Sequence, residues 1–527
     1  MRCVRVPVVA VVLALVAAAP AQAAKRCDEP RADWQRATPA EAGMDAAKLQ
    51  DAMDYGTSQS SFAVRAYRHG CLVAEDRFAS QNRNSTYESW SMAKSVTSLV
   101  FGRAMQLGLV SPDDPVGSLV PEADGPHGAI TLHDLLTMTS GLRWNGFRDY
   151  NIFTMPDRVR DALTLEVVHP PGTFYEYAQS AVSLLAEATA RAVGDDFERF
   201  AQRELMGPLE IEPGTWHWER DRAGHVAGFY GVNMRPDDFG RLGELLRRDG
   251  VWRGHRLLSA EYVRRSVAPS ATNGCYGWLI WVNAGSPCIG PTISERPVEQ
   301  NRDMPDLPAD LYRFSGLFGQ LVTVFPTQGI VVVRTGQDPG LVPAGGQDWE
   351  HELYKRVLAA VTDQPVEPAG DAPPSTTDDP DTDYGFQTSL AEPDQYSKGA
   401  AQDPLPPAGP RRARAPRLLV AHVRVGRKGR LAVGLRCPPN WPSGEPGCRG
   451  VATLEGARQS LRYDVPPGTT RLVRFTLTKS RLAALRRSRT AALTAVATNE
   501  DSASGATSRL TLDVIRPAPP KKQRRRG

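Results

Sequence analysis

Trp90-Ser91-Met92-Ala93-Lys94-Ser95-Val96-Thr97-Ser98-Leu99-Val100 is the stretch on which the reading of this 527-residue chain turns. Ser91 and Lys94 are three residues apart, and on a helix that spacing places both side chains on one face, one turn apart. A serine hydroxyl is a weak nucleophile and needs an adjacent base. An amine serves as that base when burial and the positive end of a helix lower its pKa. Trp90 before the pair, and Val96, Leu99 and Val100 after it, supply apolar surroundings. Alone the pattern is weak: at ordinary serine usage and this lysine content, roughly one chance match is expected in two such chains. A surface lysine on an ordinary helix would look the same, so the surroundings decide.

Working outward, Thr38 to Tyr55 contains a helix with Asp45 as N-cap and Leu49, Ala52 and Met53 as its apolar stripe. Phe62 to Arg68 alternates as a half-buried strand, His69-Gly70 suits a two-residue turn, and Cys71 to Phe78 returns. Ser95 to Leu109 is helical, and helices and loops continue to about residue 265. Strand character resumes at Tyr276 to Val282. A hairpin follows, Leu321 to Phe325 and Ile330 to Arg334, across Pro326-Thr327-Gln328-Gly329. Asp348 to Thr362 is a helix with Trp349, Leu353, Val357 and Val361 on one face. Strands and a helix at each end thus enclose a helical insertion, which makes one α/β domain over residues 24–363.

Several segments, in order, resemble the serine β-lactamase and penicillin-binding superfamily. The likeness is strongest to its class C-like branch of esterases and 6-aminohexanoate-oligomer hydrolases. It is carried by Thr38 to Asp45, by Ser91 to Lys94, by Ser111 to Val116 and by Ile130 to Leu142. It continues at Met234 to Gly243 and at Gly250-Val251-Trp252. The resemblance implies an antiparallel β-lactamase/transpeptidase-like sheet flanked by the terminal helices, with Ser91 as nucleophile and Lys94 as base. The family's second motif, Tyr-x-Asn, corresponds to Tyr177-Ala178-Gln179, so Tyr177 takes the proton-relay role, with Tyr175 as a rival two residues earlier. Gln179 keeps the amide one methylene further out. The third motif, usually Lys-Thr-Gly or His-x-Gly, is replaced by Gly316-Leu317-Phe318-Gly319-Gln320, the form of the esterase and aminohexanoate-hydrolase branch. By that likeness the backbone N–H groups of Ser91 and Leu317 form an oxyanion hole, and Gln179 and Gly316 lie against substrate. The chain has no Lys between Lys94 and Lys355 and no His between His255 and His351. The cation that holds a substrate carboxylate elsewhere in the family is therefore missing. The expected activity is hydrolysis of an uncharged ester or amide through an acyl-enzyme, needing no cofactor. A DD-carboxypeptidase or β-lactamase, and a non-catalytic cell-wall-binding protein, are the alternatives.

Other features bound the reading. The 63 basic and 59 acidic side chains leave a net charge of +4, which disfavours a nucleic-acid binder. Arg2 and Arg5, the apolar run Val6 to Ala19, and Ala21-Gln22-Ala23 read as a signal peptide over 1–23, so the protein is expected to be secreted or in the cell envelope. The six Cys beyond it suit disulfides, with Cys275–Cys288 and Cys437–Cys448 paired by proximity and Cys27–Cys71 by elimination, although fifteen connectivities are open. His217, Asp221 and His225, with Glu219 between, would share a helix face and could bind a metal. Pro213-Gly214 and Gly224 argue for a loop or strand instead. Residues 364–416 have a linker's composition. Residues 417–516 show short alternating runs suited to an Ig-like β-sandwich, with a short helix over Ser480 to Arg487. The basic tail, 517–527, reads as a solvated terminus whose charge also suits an anionic wall polymer or membrane surface.

Overall fold

The computed structural model describes residues 24–31, 33–291, 298–337 and 349–372, and shorter runs between 417 and 515. The expected signal peptide, the basic tail, Cys437 and most of the expected linker lie outside the described residues.

The domain is built on a six-stranded antiparallel sheet. Its strands are β1 (Ser61–Arg68), β2 (Cys71–Glu75), β3 (Trp281–Val282), β4 (Tyr312–Gly316), β5 (Gln320–Phe325) and β6 (Ile330–Gly336), in the order β2-β1-β6-β5-β4-β3. The hairpin β5–β6 pairs Leu321 with Arg334 and Phe325 with Ile330, and β1 lies antiparallel to β6 from Arg68↔Ile330. Two terminal helices, α1 (Ala46–Ser58) and α5 (Trp349–Ala359), pack against one another and on one face of the sheet. Asp45 caps α1 by accepting from the Ala47 and Lys48 N–H groups, and Leu49, Ala52 and Met53 are buried. The other face carries α2 (Met92–Gln106) and α4 (Pro236–Arg247), with α3 (Gln179–Val193) against α2. Because side chains alternate along a strand, Val331 and Val333 join the core on the α2 side while Ile330 and Val332 join the core under α1 and α5.

That sandwiching corrects one expectation. β1 is not half-buried: seven of its eight residues are buried, including both arginines. The polar alternation in Phe62 to Arg68 arises because buried charges here are paired. Arg65 donates to Asp76 at 2.7 Å, and Arg68 reaches the carbonyls of Ala42 and Gly43 and the Asp363 carboxylate. The stretch Tyr276 to Val282 is also not one strand. Only Trp281 and Val282 pair with β4, and Tyr276 bridges back to Trp281 around Leu279, whose φ is +57°.

Cys27–Cys71 and Cys275–Cys288 form disulfides, as proximity and elimination suggested. The chain also stays on the domain nine residues into the stretch whose composition suggests a linker. Ala369 donates to the Leu307 carbonyl, Gly370 donates to that of Pro305, and Asn301 bonds the Asp371 carboxylate. Composition misses this because the attachment rests mainly on hydrogen bonds, with Val366 the single apolar side chain of the stretch packed on the core. The segment around His217 is not helical. His217–Trp218 is a short strand, Arg220 bridges to Val226, and His225 pairs with Glu187 at 3.0 Å. Farther along, Arg417–Leu419, Arg430–Arg436 and Thr470–Thr476 form a three-stranded sheet. A second, five-stranded sheet contains Cys448–Leu454, Leu461–Val465, Ala492–Asn499 and Thr507–Ile515, with His422–Arg424 parallel to the last. Side chains of both sheets meet in a small cluster that includes Leu431, Val433, Ala452, Tyr463 and Phe475.

Candidate active site

The site starts from the turn that precedes α2. Glu88 fixes it: one carboxylate oxygen accepts from the N–H groups of Trp90 and Gly231, and the other from Asn233 Nδ2. Ser89 adds a reciprocal pair, donating its N–H to the Val232 carbonyl and accepting the Val232 N–H on its hydroxyl. Trp90 then takes φ +47°, a conformation that side-chain-bearing residues seldom adopt. The bend delivers Ser91 to the N-terminus of α2, where its side chain caps no backbone group.

Lys94 lies one turn in, 1% exposed, with Nζ 2.8 Å from Ser91 Oγ and 3.3 Å from the Phe229 carbonyl. Burial pushes its pKa down to about 7, against the pull of the Asp149 charge. A neutral amine at this distance can take the hydroxyl proton. Tyr177 sits beside it: the ring centre is 4.6 Å from Nζ, and the ring stacks on Trp281 at 5.8 Å. Tyr175 and Tyr177 both pack edge-on to Tyr276, with ring centres at 5.5 and 6.1 Å. Of the two tyrosines, Tyr177, the one that the motif spacing favours, has its ring next to Lys94 Nζ.

Gln179 opens α3, buried, and its N–H donates to Asp149 Oδ1 at 3.0 Å. Its side-chain Oε1 is buried without a hydrogen-bond partner, an acceptor still available in the site. Asp149 is a member of the site that motif reading does not reveal. It comes from a short helix, Gly146–Asn151, whose N-cap Asn145 accepts the Arg148 N–H. Burial pushes its carboxyl up to about 7, while hydrogen bonds from Gln179 and the charge of Lys94 pull the other way. The Phe229 carbonyl and Glu88 are equally unmarked in the sequence, since Lys94 lies 135 residues from Phe229, and Gly231 and Asn233 lie 143 and 145 residues from Glu88.

The third motif completes the arrangement. A Cβ on Gly316 would sit 2.2 Å from the Ser89 carbonyl oxygen and 3.1 Å from the Met92 nitrogen, so β4 ends flush against the serine turn. Only a residue without a side chain permits that approach. Leu317 follows directly, and Phe318 turns the chain with φ +62°. Arg334 holds this turn from below. Its Nη1 donates to the Phe318 and Gly319 carbonyls, its Nη2 to those of Gln59 and Gln337, and its Nε to Ser61 Oγ. All five N–H donors of the guanidinium are thus engaged within the protein. The structure thus gathers Ser91, Lys94, Tyr177, Gly316 and Leu317 around the start of α2, and Gln179 joins them through Asp149. Among the described residues, no group of three His, Cys, Asp or Glu side chains could hold a metal ion.

Comparison with known proteins adds a family and several likenesses. The sequence model of the Beta-lactamase family matches residues 46–355. A Bacillus subtilis (strain 168) protein named "Putative penicillin-binding protein PbpX" is 29% identical over 151 residues, which are 27% of this chain and 37% of that protein. The chain thus spans well under half of that relative. Among solved structures, a protein titled "Putative 6-aminohexanoate-dimer hydrolase from Bacillus anthracis" is 15% identical, with TM-score 0.48 over 64% of this chain and 89% of its own. A family VIII carboxylesterase is 14% identical, with TM-score 0.45 over 60% of this chain and 97% of its own.

Proposed function

The chain belongs to the beta-lactamase family, whose members on this fold are serine hydrolases, and on that premise we propose that it is an exported hydrolase cleaving uncharged esters or amides through an acyl-enzyme on Ser91. The observation that carries the reading is the 2.8 Å contact from Lys94 Nζ to Ser91 Oγ in a site whose burial favours the neutral amine. Neutral Lys94 takes the hydroxyl proton as Oγ attacks the substrate carbonyl carbon. The developing oxyanion lies between the N–H groups of Ser91 and Leu317, placed where charge appears rather than where it starts. The proton then passes, with the Tyr177 phenol assisting, to the departing oxygen or nitrogen, and the leaving group separates. In the second half Lys94 takes a proton from water as its oxygen attacks the acyl carbon, and the bond from that carbon to Ser91 Oγ then breaks as Lys94 returns the proton to Oγ, releasing the acid.

The choice of uncharged substrates follows from the third motif. β4, which leads into Gly316 and Leu317, carries no Lys or His. The nearby Arg334 is buried with every donor engaged, so no guanidinium hydrogen bond remains for a substrate carboxylate. The two disulfides support export, as does the reading of residues 1–23 as a signal peptide. The apolar cluster shared by the two C-terminal sheets supports a packed β-module, for which we retain the Ig-like sandwich over 417–516.

A hydrolysis panel tests the reading: p-nitrophenyl esters, short ω-amino-acid amides, a D-Ala-D-Ala peptide and a chromogenic cephalosporin. Turnover of neutral esters or amides is expected to exceed that of the two carboxylate-bearing substrates. Preferential turnover of the peptide or cephalosporin would instead mark a DD-carboxypeptidase or β-lactamase, and no turnover of any would favour a non-catalytic binder.

The pH profile carries a separate prediction. Because the base must be neutral, kcat/KM is expected to rise with pH through about 7 and then level off. The Asp149 carboxylate stabilises the Lys94 ammonium, so removing that charge lowers the lysine pKa. In Asp149→Asn, whose Oδ1 can still accept the Gln179 N–H, the acid limb is expected to move to lower pH. An unmoved limb would show that Asp149 does not act on the base.

A further inference from the structure

Two aromatic side chains with left-handed backbones face one another at the mouth of this site. Trp90, just before the serine, has φ +47°, and Phe318, just after Leu317, has φ +62°. Their rings meet edge-on at 5.3 Å, with an interplanar angle of 90°. For bulky residues this backbone region is strained, and such strain persists only where the surroundings enforce it and tends to cluster at functional sites. Here the surroundings do enforce it. Glu88 and Ser89 hold the first turn, and Arg334 clamps the carbonyls of the second.

Trp90 is half-buried, while Phe318 and its neighbour Leu317 are exposed. Leu317 is 54% exposed and Phe318 39% exposed, two of only four large apolar side chains counted as exposed among the described residues. The apolar surface continues inward, since the Phe153 ring lies 6.1 Å from Trp90, 4.6 Å from Tyr230 and 5.5 Å from Phe229. Solvent-facing apolar residues gathered in one place mark a binding surface more often than scattered ones do.

We propose that Trp90, Phe153, Leu317 and Phe318 form an apolar subsite for the acyl group of an uncharged ester. The side of the reaction is set by proton traffic. A leaving group must depart toward the Lys94–Tyr177 pair that protonates it, and Tyr177 stacks on Trp281, not on Trp90. With the oxyanion directed at the Ser91 and Leu317 N–H groups, the remaining substituent of the tetrahedral carbon, the acyl chain, is left to the Trp90–Phe318 side. All four side chains are uncharged, and the Arg158 guanidinium beside Phe153 is buried, donating to the Phe153 carbonyl and the Tyr230 hydroxyl, so a carboxylate or ammonium on the acyl chain would lose water against an apolar surface.

The inference rests on the serine chemistry proposed above, and the test separates the two. The full chain is assayed against p-nitrophenyl acetate, butyrate and hexanoate. Burial of methylenes against such a surface is expected to raise kcat/KM roughly three- to fourfold per added CH₂. Mono-p-nitrophenyl glutarate is expected to be at least about tenfold poorer than the neutral valerate. Phe318→Asn keeps a residue tolerant of the left-handed backbone while removing the ring, and should flatten the chain-length slope. Its melting temperature, and its labelling by a small methylphosphonate, report whether the fold and Ser91 survive the change. A flat acyl series in the natural protein, an unchanged slope in a folded Phe318→Asn variant, or preference for the glutarate would overturn the subsite. Absence of hydrolysis of every ester, together with no Ser91 adduct, would overturn the serine reading itself.

Discussion

Ser91→Ala is expected to lower kcat on the best neutral ester by about 10⁴- to 10⁶-fold, and Lys94→Met alone by about 10²- to 10⁴-fold. The two side chains act as one unit, because Lys94 matters only through the hydroxyl it deprotonates at 2.8 Å. Their losses should not add, and the double variant is expected to be no slower than Ser91→Ala. Misfolding can be told apart from lost chemistry at Lys94. The lysine is buried, and burying an amine costs free energy that a thioether of similar length does not. Lys94→Met should therefore unfold at a temperature no lower than the parent while losing turnover. Steady-state kinetics alongside thermal melts check this, and a folded Lys94→Met enzyme with unchanged kcat would remove the lysine from the mechanism.

Gly316→Ala is expected to cost about 10²- to 10³-fold in kcat, the scale of losing one oxyanion donor. The added methyl would stand 2.2 Å from the Ser89 carbonyl oxygen, far inside contact distance, and the atom it meets belongs to the backbone. The serine turn cannot readily give way, since Ser89 is tied to Val232 and Trp90 to Glu88. β4 must withdraw instead, carrying the Leu317 N–H away from the oxyanion. Because the donor acts on charge that develops only at the transition state, KM should change far less than kcat. A variant with normal kcat would mean that Leu317 N–H takes no part.

The parts of the fold that sequence patterns expose are those decided locally. Asp45 caps a helix that starts one residue later, His69-Gly70 turns a hairpin, and Ser91 and Lys94 sit one turn apart because both lie at one helix start. The helix over Met92–Gln106 also shows why the four-residue pattern was more than chance: nearly all its faces are buried, which no surface lysine would accompany. What stayed hidden depends on partners distant in the chain. Asp149 reads as one more polar residue in a loop until the fold sets it against the N-terminus of the Gln179 helix. Arg334 reads as the polar end of a strand, yet it supports the Leu317–Gly319 turn. The half-buried reading of Phe62 to Arg68 failed for the same reason, because Asp76 and Asp363, which neutralise its arginines, lie beyond the strand. The motif placed Tyr177 and Tyr175 two residues apart without ranking them by contact. The motif spacing favours Tyr177, and the 4.6 Å approach of its ring to Lys94 is consistent with that choice.

The central claim is that Ser91 is the residue that becomes acylated. Its most direct test is peptide mass mapping of the intact protein after reaction with a serine-directed alkylphosphonate. The account predicts one stoichiometric adduct on the peptide containing Ser91, formed more slowly in Lys94→Met and absent in Ser91→Ala. An adduct on another residue, or equal labelling of Ser91→Ala, would contradict it.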